Sequence, residues 1–313
     1  MWLRRAIAPT YFELPMFHTE IDCRGRRLVL DRPLIAGVLN VTPDSFSDGG
    51  DWLDAQAAIA HGLRLVEEGA DLIDVGGESS RPGATEVDTA EELRRVLPVI
   101  EALAARISVP ISIDTSKAEV MRAAVAAGAG MINDVRALQG AGALDAAADT
   151  GAAVCLMHMQ GAPRSMQDQP FYEDVVADVQ RFLAERVLAC QFAGIDKKRI
   201  LVDPGFGFGK SLEHNLELLA GLDRLKTMGC TLLVGLSRKR FIGMLTGRDS
   251  PAQRVHGSIA AALLAVQRGA DIVRVHDVAA TRDALNLWRA LAPRIPKPKP
   301  AAPKLSAGLF DDE

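Results

Sequence analysis

No surplus of charge runs through this chain of 313 residues: 36 Lys and Arg stand against 40 Asp and Glu, a net charge of −4. That balance removes the global electrostatic case for binding nucleic acid or an anionic membrane. Cysteine is equally sparse. Cys23, Cys155, Cys190 and Cys230 stand singly, with no CxxC or His-paired spacing, which excludes a disulfide framework and a zinc cluster and reads as free or buried thiols in a reducing compartment. No apolar run approaches the ~20 residues of a membrane-spanning helix. The opening Met1-Trp-Leu-Arg-Arg5 lacks the continuous apolar core of a secretion signal. No Ser-His-Asp set or activated cysteine points to covalent catalysis. The expectation is a soluble, cytoplasmic protein.

What is present is a hydrophobic content of 48%, cut into short pieces. Eight apolar runs each stop in a polar cluster: Leu34–Asn40, Asp71–Gly77, Ile111–Asp114, Met131–Asp134, Ala153–His158, Ile200–Asp203, Thr231–Ser237 and Asp271–His276. Short apolar runs bounded by Gly, Asp and Pro suit strands buried on both faces. Most intervals carry helical patterns, and eight such units imply an α/β fold, a closed (β/α)8 barrel of the TIM type, with the polar stops gathered at one mouth. Residues 1–33 read as an N-terminal β-hairpin closing the barrel, with strands near Phe12–Asp22 and Arg26–Leu30. Residues 34–293 form the barrel, and the Pro/Lys-rich 294–313 reads as a disordered tail.

Helices are expected over Asp54–Glu68, Thr89–Arg106, Ser116–Ala127, a short piece of Gly140–Thr150, Tyr172–Phe192, Leu212–Met228, Gln253–Gln267 and Val278–Ala292. Ser116 followed by Glu119 has the spacing of a capping box. Gly69-Ala-Asp71 and Gly269-Ala-Asp271 repeat as tight turns into strands two and eight. Gly205–Ser211 approaches the phosphate-binding G-x-x-x-x-G-K-[ST] loop, but Pro204 stands where its first glycine belongs, so that reading is set aside.

The chemistry sits at the strand ends. Asn40–Gly50 is long for a strand-to-helix loop, and Gly76–Gly83 places Arg81 among hydroxyls and backbone N–H groups suited to an oxyanion. Asp114, Asn133-Asp134 and Asp203 ring the same mouth, where carboxylates accept paired N–H donors and an amide donates and accepts. Each also has a plain reading as a helix cap. Strict alternation puts Arg274 and His276 on one face of strand eight, near the barrel's usual phosphate corner. A structural Arg274–carboxylate pair is the alternative. The mouth therefore divides into a donor-reading half and a basic half, with Asn40 between, as a heterocycle carrying a phosphate or pyrophosphate would require.

The ordered set Asn40–Gly50, Gly76–Gly83, Asp114-Thr-Ser116, Asn133-Asp134, Met157–Gly161, Asp203–Lys210, Ser237-Arg-Lys239 and Arg274–Asp277 closely resembles the dihydropteroate synthases over about residues 30–293. The resemblance implies condensation of 6-hydroxymethyl-7,8-dihydropterin pyrophosphate with p-aminobenzoate, with Mg²⁺ assisting, in a homodimer. It would place the pterin on Asp114, Asn133, Asp203 and Lys239, with Met157 and Arg274 packed against its ring. Asn40 would hold the metal; Asn40, Arg81, Arg274 and His276 would engage pyrophosphate. Ser80, Pro82, Phe208 and Lys239 would border p-aminobenzoate, where sulfonamides compete. Asp48, with Lys239 and Arg274, would carry the catalysis. Ser80 stands where many relatives have Thr, and Arg240 where some have Ser. A pterin-binding methyltransferase domain on the same barrel is the nearest rival, though it has no need of Arg81, Lys239 or the Arg274/His276 pair. A non-catalytic paralogue is the other alternative.

Overall fold

The structure, a computed structural model, describes residues 20–42, 51–79, 87–161 and 170–291. The expected C-terminal tail, residues 12–19 of the Phe12–Asp22 strand candidate and most of the Gln160–Pro170 loop lie outside the described residues. Two short strands, β1 (Glu20–Cys23) and β2 (Arg26–Val29), pair antiparallel. The eight apolar runs follow as β3 (Leu34–Asn40), β4 (Leu72–Gly76), β5 (Ile111–Asp114), β6 (Met131–Asp134), β7 (Ala153–Met157), β8 (Ile200–Asp203), β9 (Thr231–Gly235) and β10 (Ile272–Val275). They close into one parallel barrel in the order β10-β3-β4-β5-β6-β7-β8-β9.

Helices cover the outside: α1 (Asp51–Glu67), α2 (Thr89–Ala104), α3 (Ala118–Ala126), α4 (Ala143–Thr150), α5 (Val175–Phe192), α6 (Leu212–Ala220), α7 (Arg240–Thr246), α8 (Val255–Gln267) and α9 (Val278–Leu291). None of the described helices is long and apolar enough to cross a membrane. The expected helix over Leu212–Met228 breaks at Gly221 into α6 and a 3-10 turn. The seven residues of α7 are too few to display a helical period, so the sequence pattern predicts no helix there.

Alternation along each strand sorts the side chains into two cores. Ile35, Leu39, Ile73, Val75, Ile111, Ile113, Ile132, Val154, Val202, Leu232 and Val273 point outwards and pack under the helices. Leu34, Ala36, Leu72, Met131, Ala153, Cys155, Leu201, Leu233 and Ile272 point inwards and fill the lower barrel. Ile21, Cys23 and Leu28 of the hairpin join that inner cluster and stopper the bottom. The hairpin backbone lies so close that a Cβ on Gly130 would come within 2.3 Å of the Cys23 carbonyl oxygen. Each fully buried Leu or Ile here contributes about 1.5–3 kcal/mol.

The two Gly-Ala-Asp turns are one device used twice. Gly69 and Gly269 take left-handed φ of 100° and 96°, which glycine tolerates. Asp71 then accepts the N–H of Ile35 at 2.8 Å, and Asp271 accepts that of Leu232 at 2.8 Å, each tying one strand to its neighbour. The Ser116–Glu119 capping box does not form. α3 begins at Ala118, and the Ser116 hydroxyl donates to Asp134, a partner far off in sequence. A capping box does form at Ser211 and His214, opening α6.

Candidate active site

The inward row that is apolar at the bottom turns polar towards the C-terminal ends of the strands. Val38 faces Asp74 in register, Asp74 faces Ser112, Gly76 faces Asp114, and Asp114 faces Asn133. Arg274 enters this row from β10. Its Nε donates to Asp74 Oδ2 at 2.5 Å and its Nη2 to Asp114 Oδ2 at 2.8 Å. Asn133 Nδ2 donates to the same Asp74 oxygen at 3.3 Å. Of the two readings open for Arg274, the carboxylate pairing is therefore made, and made twice, while its Nη1 has no hydrogen-bond partner among the described residues. Burial works against the Arg274 charge, but Asp74 and Asp114 outweigh it and raise its pKa.

Asp74 was not singled out from sequence. It is 2% exposed, and its Oδ1 and the Ser112 hydroxyl are buried without a hydrogen-bond partner among the described residues. The signal was an Asp at an inward position inside Leu72-Ile-Asp-Val75, where a charge is costly unless paired. Burial pushes the Asp114 carboxyl up to about 7, with Arg274 opposing that rise and Asp74 adding to it. Asp114 therefore pairs with Arg274 instead of capping α3.

Asn133 points into the mouth, but Asp134 does not, which corrects the expectation that the two share it. One residue further along β6 the side chain faces the helices. There Asp134 accepts the Ser116 hydroxyl and the N–H groups of Arg136 and Leu138, both at 2.8 Å, and shapes the turn after β6.

On the far side, Asp203 ends β8 opposite Met157 of β7. Its Oδ1 accepts the Gly205 N–H at 2.7 Å, and burial raises its pKa against the pull of Gly205, Lys239, Arg274 and Lys210. Met157 and Phe208 share a small apolar cluster with Val135 and Met159. Lys239 Nζ sits 4.0 Å from the Phe208 ring centroid, a cation–π contact. Gly207 lies beneath the lysine stem; a Cβ there would come within 3.2 Å of Lys239 Cδ.

The Gly205–Gly209 turn is held from below. Lys210, 3% exposed, donates to His158 Nδ1 at 2.9 Å and to the carbonyls of Gly205 at 2.9 Å and Phe208 at 3.1 Å. As an ammonium Lys210 only donates, and in that state Nδ1 is the acceptor and the His158 proton rides on Nε2. Burial and the Lys210 charge lower His158 to about 2, and burial lowers Lys210 to about 7. Asn215 accepts the Gly207 N–H at 2.7 Å and donates to the Lys210 carbonyl at 3.2 Å. Tyr172, expected inside a helix, lies ahead of α5 and donates to the Gly209 carbonyl at 2.7 Å.

His276 follows β10. Ser237 Oγ accepts its backbone N–H at 3.2 Å and lies 3.1 Å from Nδ1. With the hydroxyl donating to Nδ1, the ring proton is left on Nε2, the tautomer that can donate to an anion. Asn40 ends β3 with its side-chain oxygen beside Gly76. Asp48, Ser80, Arg81 and Pro82 lie outside the described residues. The described part of the mouth thus offers inward carboxylates and an amide for N–H donors, an apolar and cationic wall, and an imidazole at the rim.

A family model described as pterin binding enzyme matches residues 36–276. The dihydropteroate synthase of Escherichia coli strain K12 is 52% identical over 271 residues, covering 87% of this chain and 96% of its own. Among solved structures, a Xanthomonas albilineans dihydropteroate synthase with 4-aminobenzoic acid superimposes with a TM-score of 0.84 at 63% identity, covering 89% of this chain and 99% of that one. The Xanthomonas albilineans enzyme in complex with 7,8-dihydropteroate gives a TM-score of 0.81 at 60% identity, covering 88% of this chain and 100% of that one.

Proposed function

The chain belongs to the dihydropteroate synthases, and from that premise we propose how its mouth joins 6-hydroxymethyl-7,8-dihydropterin pyrophosphate to p-aminobenzoate with release of pyrophosphate. The observation that carries the reading is the inward row of Asp74, Asp114, Asn133 and Arg274. Asp114, Asn133 and Asp203 accept and donate along the pterin edge, while Met157 and Arg274 flank its ring. Lys239 reaches both rings, and Phe208 walls the p-aminobenzoate side together with Ser80 and Pro82. His276, Arg81, Asn40 and the outward donors of Arg274 meet the pyrophosphate.

The carbon–oxygen bond at the pterin methylene breaks first, and both electrons leave with pyrophosphate onto these cations and N–H donors. The ring delocalises the positive charge, which the Asp48 carboxylate lowers in energy. The p-aminobenzoate nitrogen then adds its lone pair to the methylene carbon and gives its surplus N–H proton to solvent water. No three carboxylates, histidines or cysteines gather for a metal among the described residues. Mg²⁺ takes a few protein oxygens and completes its shell with substrate phosphates and water. Asn40 can give one such oxygen; when bound, Mg²⁺ supplies charge neutralisation to the pyrophosphate.

Met244, Leu245, Leu264, Leu287 and Leu291 are exposed on α7, α8 and α9, which pack side by side, and this supports a homodimer. The four buried thiols support a reducing, cytoplasmic setting.

The test is pyrophosphate release with each substrate omitted in turn. Release is expected only when dihydropterin pyrophosphate and p-aminobenzoate are both present. Silence with both, or equal turnover of methyltetrahydrofolate, overturns the reading. Asp48→Ala is expected to lower kcat by about 100-fold or more, in the range of a lost electrostatic stabiliser, with pterin affinity from calorimetry nearly unchanged. Equal losses in both would remove the cation-stabilising role.

A further inference from the structure

Two local rules of chain conformation are broken for a single contact behind the mouth. Arg238, in the turn after β9, adopts φ of 60° although it carries a Cβ. Asp277 stands just before α9, and its carbonyl accepts the Thr281 N–H at 3.1 Å, which makes it the residue that starts the helix. An Asp there ordinarily turns its carboxylate onto the helix's own N–H groups. Both Asp277 oxygens go instead to Arg238, from Nε at 3.1 Å and Nη2 at 2.6 Å. The backbone of Arg238 is fixed as well: its N–H donates to Ser258 Oγ at 2.8 Å, and its carbonyl accepts Arg254 Nη1 at 3.0 Å. Strain and forgone capping persist where the surrounding structure over-determines them, and such outliers gather at functional sites.

The residues on either side of each partner give the contact its purpose. Ser237 precedes Arg238 and meets His276, which precedes Asp277. Lys239 follows Arg238 and lies over Phe208. One bidentate ion pair thus joins the turn after β9 to the turn after β10 and sets the imidazole and the lysine together.

Resting on the function proposed above, we propose that Arg238, through Asp277, is a positioning residue that aligns His276 and Lys239 for pyrophosphate departure and p-aminobenzoate attack. It touches neither substrate.

The variants separate this role from a structural one, because each repairs a local fault while cutting the clasp. Arg238→Gly removes the penalty for left-handed backbone. Asp277→Ser keeps a good helix-starting residue too short to hold the guanidinium. Full-length enzyme carrying either change is expected to melt no lower than the parent, while kcat/KM for p-aminobenzoate falls about tenfold or more. The double variant is expected to be no worse than either single, the mark of two residues acting as one unit. Unchanged kcat/KM, losses that multiply in the double variant, or losses that track a fall in melting temperature would overturn the proposal. A parent enzyme silent with both substrates would instead overturn the function on which it rests, and this proposal with it.

Discussion

Arg274→Met is expected to abolish measurable pyrophosphate release and to lower stability at pH 8 by about 3–5 kcal/mol, the usual cost of leaving a buried charge without its partner. The guanidinium is the bridge between Asp74 and Asp114, which face the same cavity from adjacent strands. Without it two largely buried carboxylates face each other with no guanidinium between them. The destabilisation is also expected to depend on pH. Asp114 is already pushed up to about 7 by burial, even with Arg274 opposing that rise. A carboxyl whose folded pKa lies above its unfolded value of about 3.9 holds a proton that the unfolded chain has lost. Its contribution is therefore present below about pH 4 and disappears as pH rises through 7. Removing Arg274 pushes Asp114 higher still, so the variant's deficit shrinks between pH 8 and pH 5 as the proton replaces the lost cation. Urea unfolding across that range checks it. A deficit independent of pH would mean that Arg274 acts by packing alone. Arg274→Lys should recover part of the stability but little activity, since one ammonium cannot span both carboxylates as the fork does.

The barrel was legible because a strand buried on both faces writes its boundaries as polar stops, and alternation then decides which polar residue enters the mouth. Asn133 and Asp134 show the power of that rule and the ease of misapplying it: adjacent in sequence, they face opposite cores. Asp74 is not legible as a site residue because a carboxylate inside Leu72–Val75 interrupts an apolar run without ending it, and only the polar stops mark the barrel mouth in the sequence. Ser116 misled for another reason. Its spacing to Glu119 satisfies a local pattern, but the hydroxyl had a better acceptor in Asp134, which only the folded barrel brings near. Local motifs lose to tertiary partners in this way wherever the side chain is short and the partner carboxylate is buried. The loops that would carry Asp48, Ser80, Arg81 and Pro82 were legible as motifs, and their roles rest on resemblance.

The lysine of the phosphate-loop-like stretch, Lys210, spends its donors on His158 Nδ1 and on the Gly205 and Phe208 carbonyls, and so fastens the turn that carries Phe208. Lys210→Met keeps the stem and deletes all three donors, leaving His158 Nδ1 and two carbonyls buried. Each stranded acceptor costs about 1–3 kcal/mol, while the relief of a desolvated ammonium works the other way. The sign of that relief follows from the pKa. Lys210 is lowered to about 7 when folded, against about 10.4 unfolded. The parent thus carries a penalty at acidic pH that lifts as pH rises from about 7 towards 10. The variant is therefore expected to lose little stability at pH 6 and more at pH 9, by chemical denaturation at each. Activity should suffer at both, because Gly205 and Gly209 approach the 158–160 backbone too closely to settle elsewhere. A Cβ on Gly205 would lie 1.9 Å from the His158 oxygen, and one on Gly209 2.4 Å from the Gln160 oxygen. With the central staple gone, Phe208 and the Lys239 stem above Gly207 lose their common floor. kcat/KM for p-aminobenzoate is expected to fall about 100-fold, roughly 2.7 kcal/mol of transition-state stabilisation. A Met variant with parental kinetics would mean that Asn215 and Tyr172 hold the turn without Lys210, and that the buried ammonium serves stability alone.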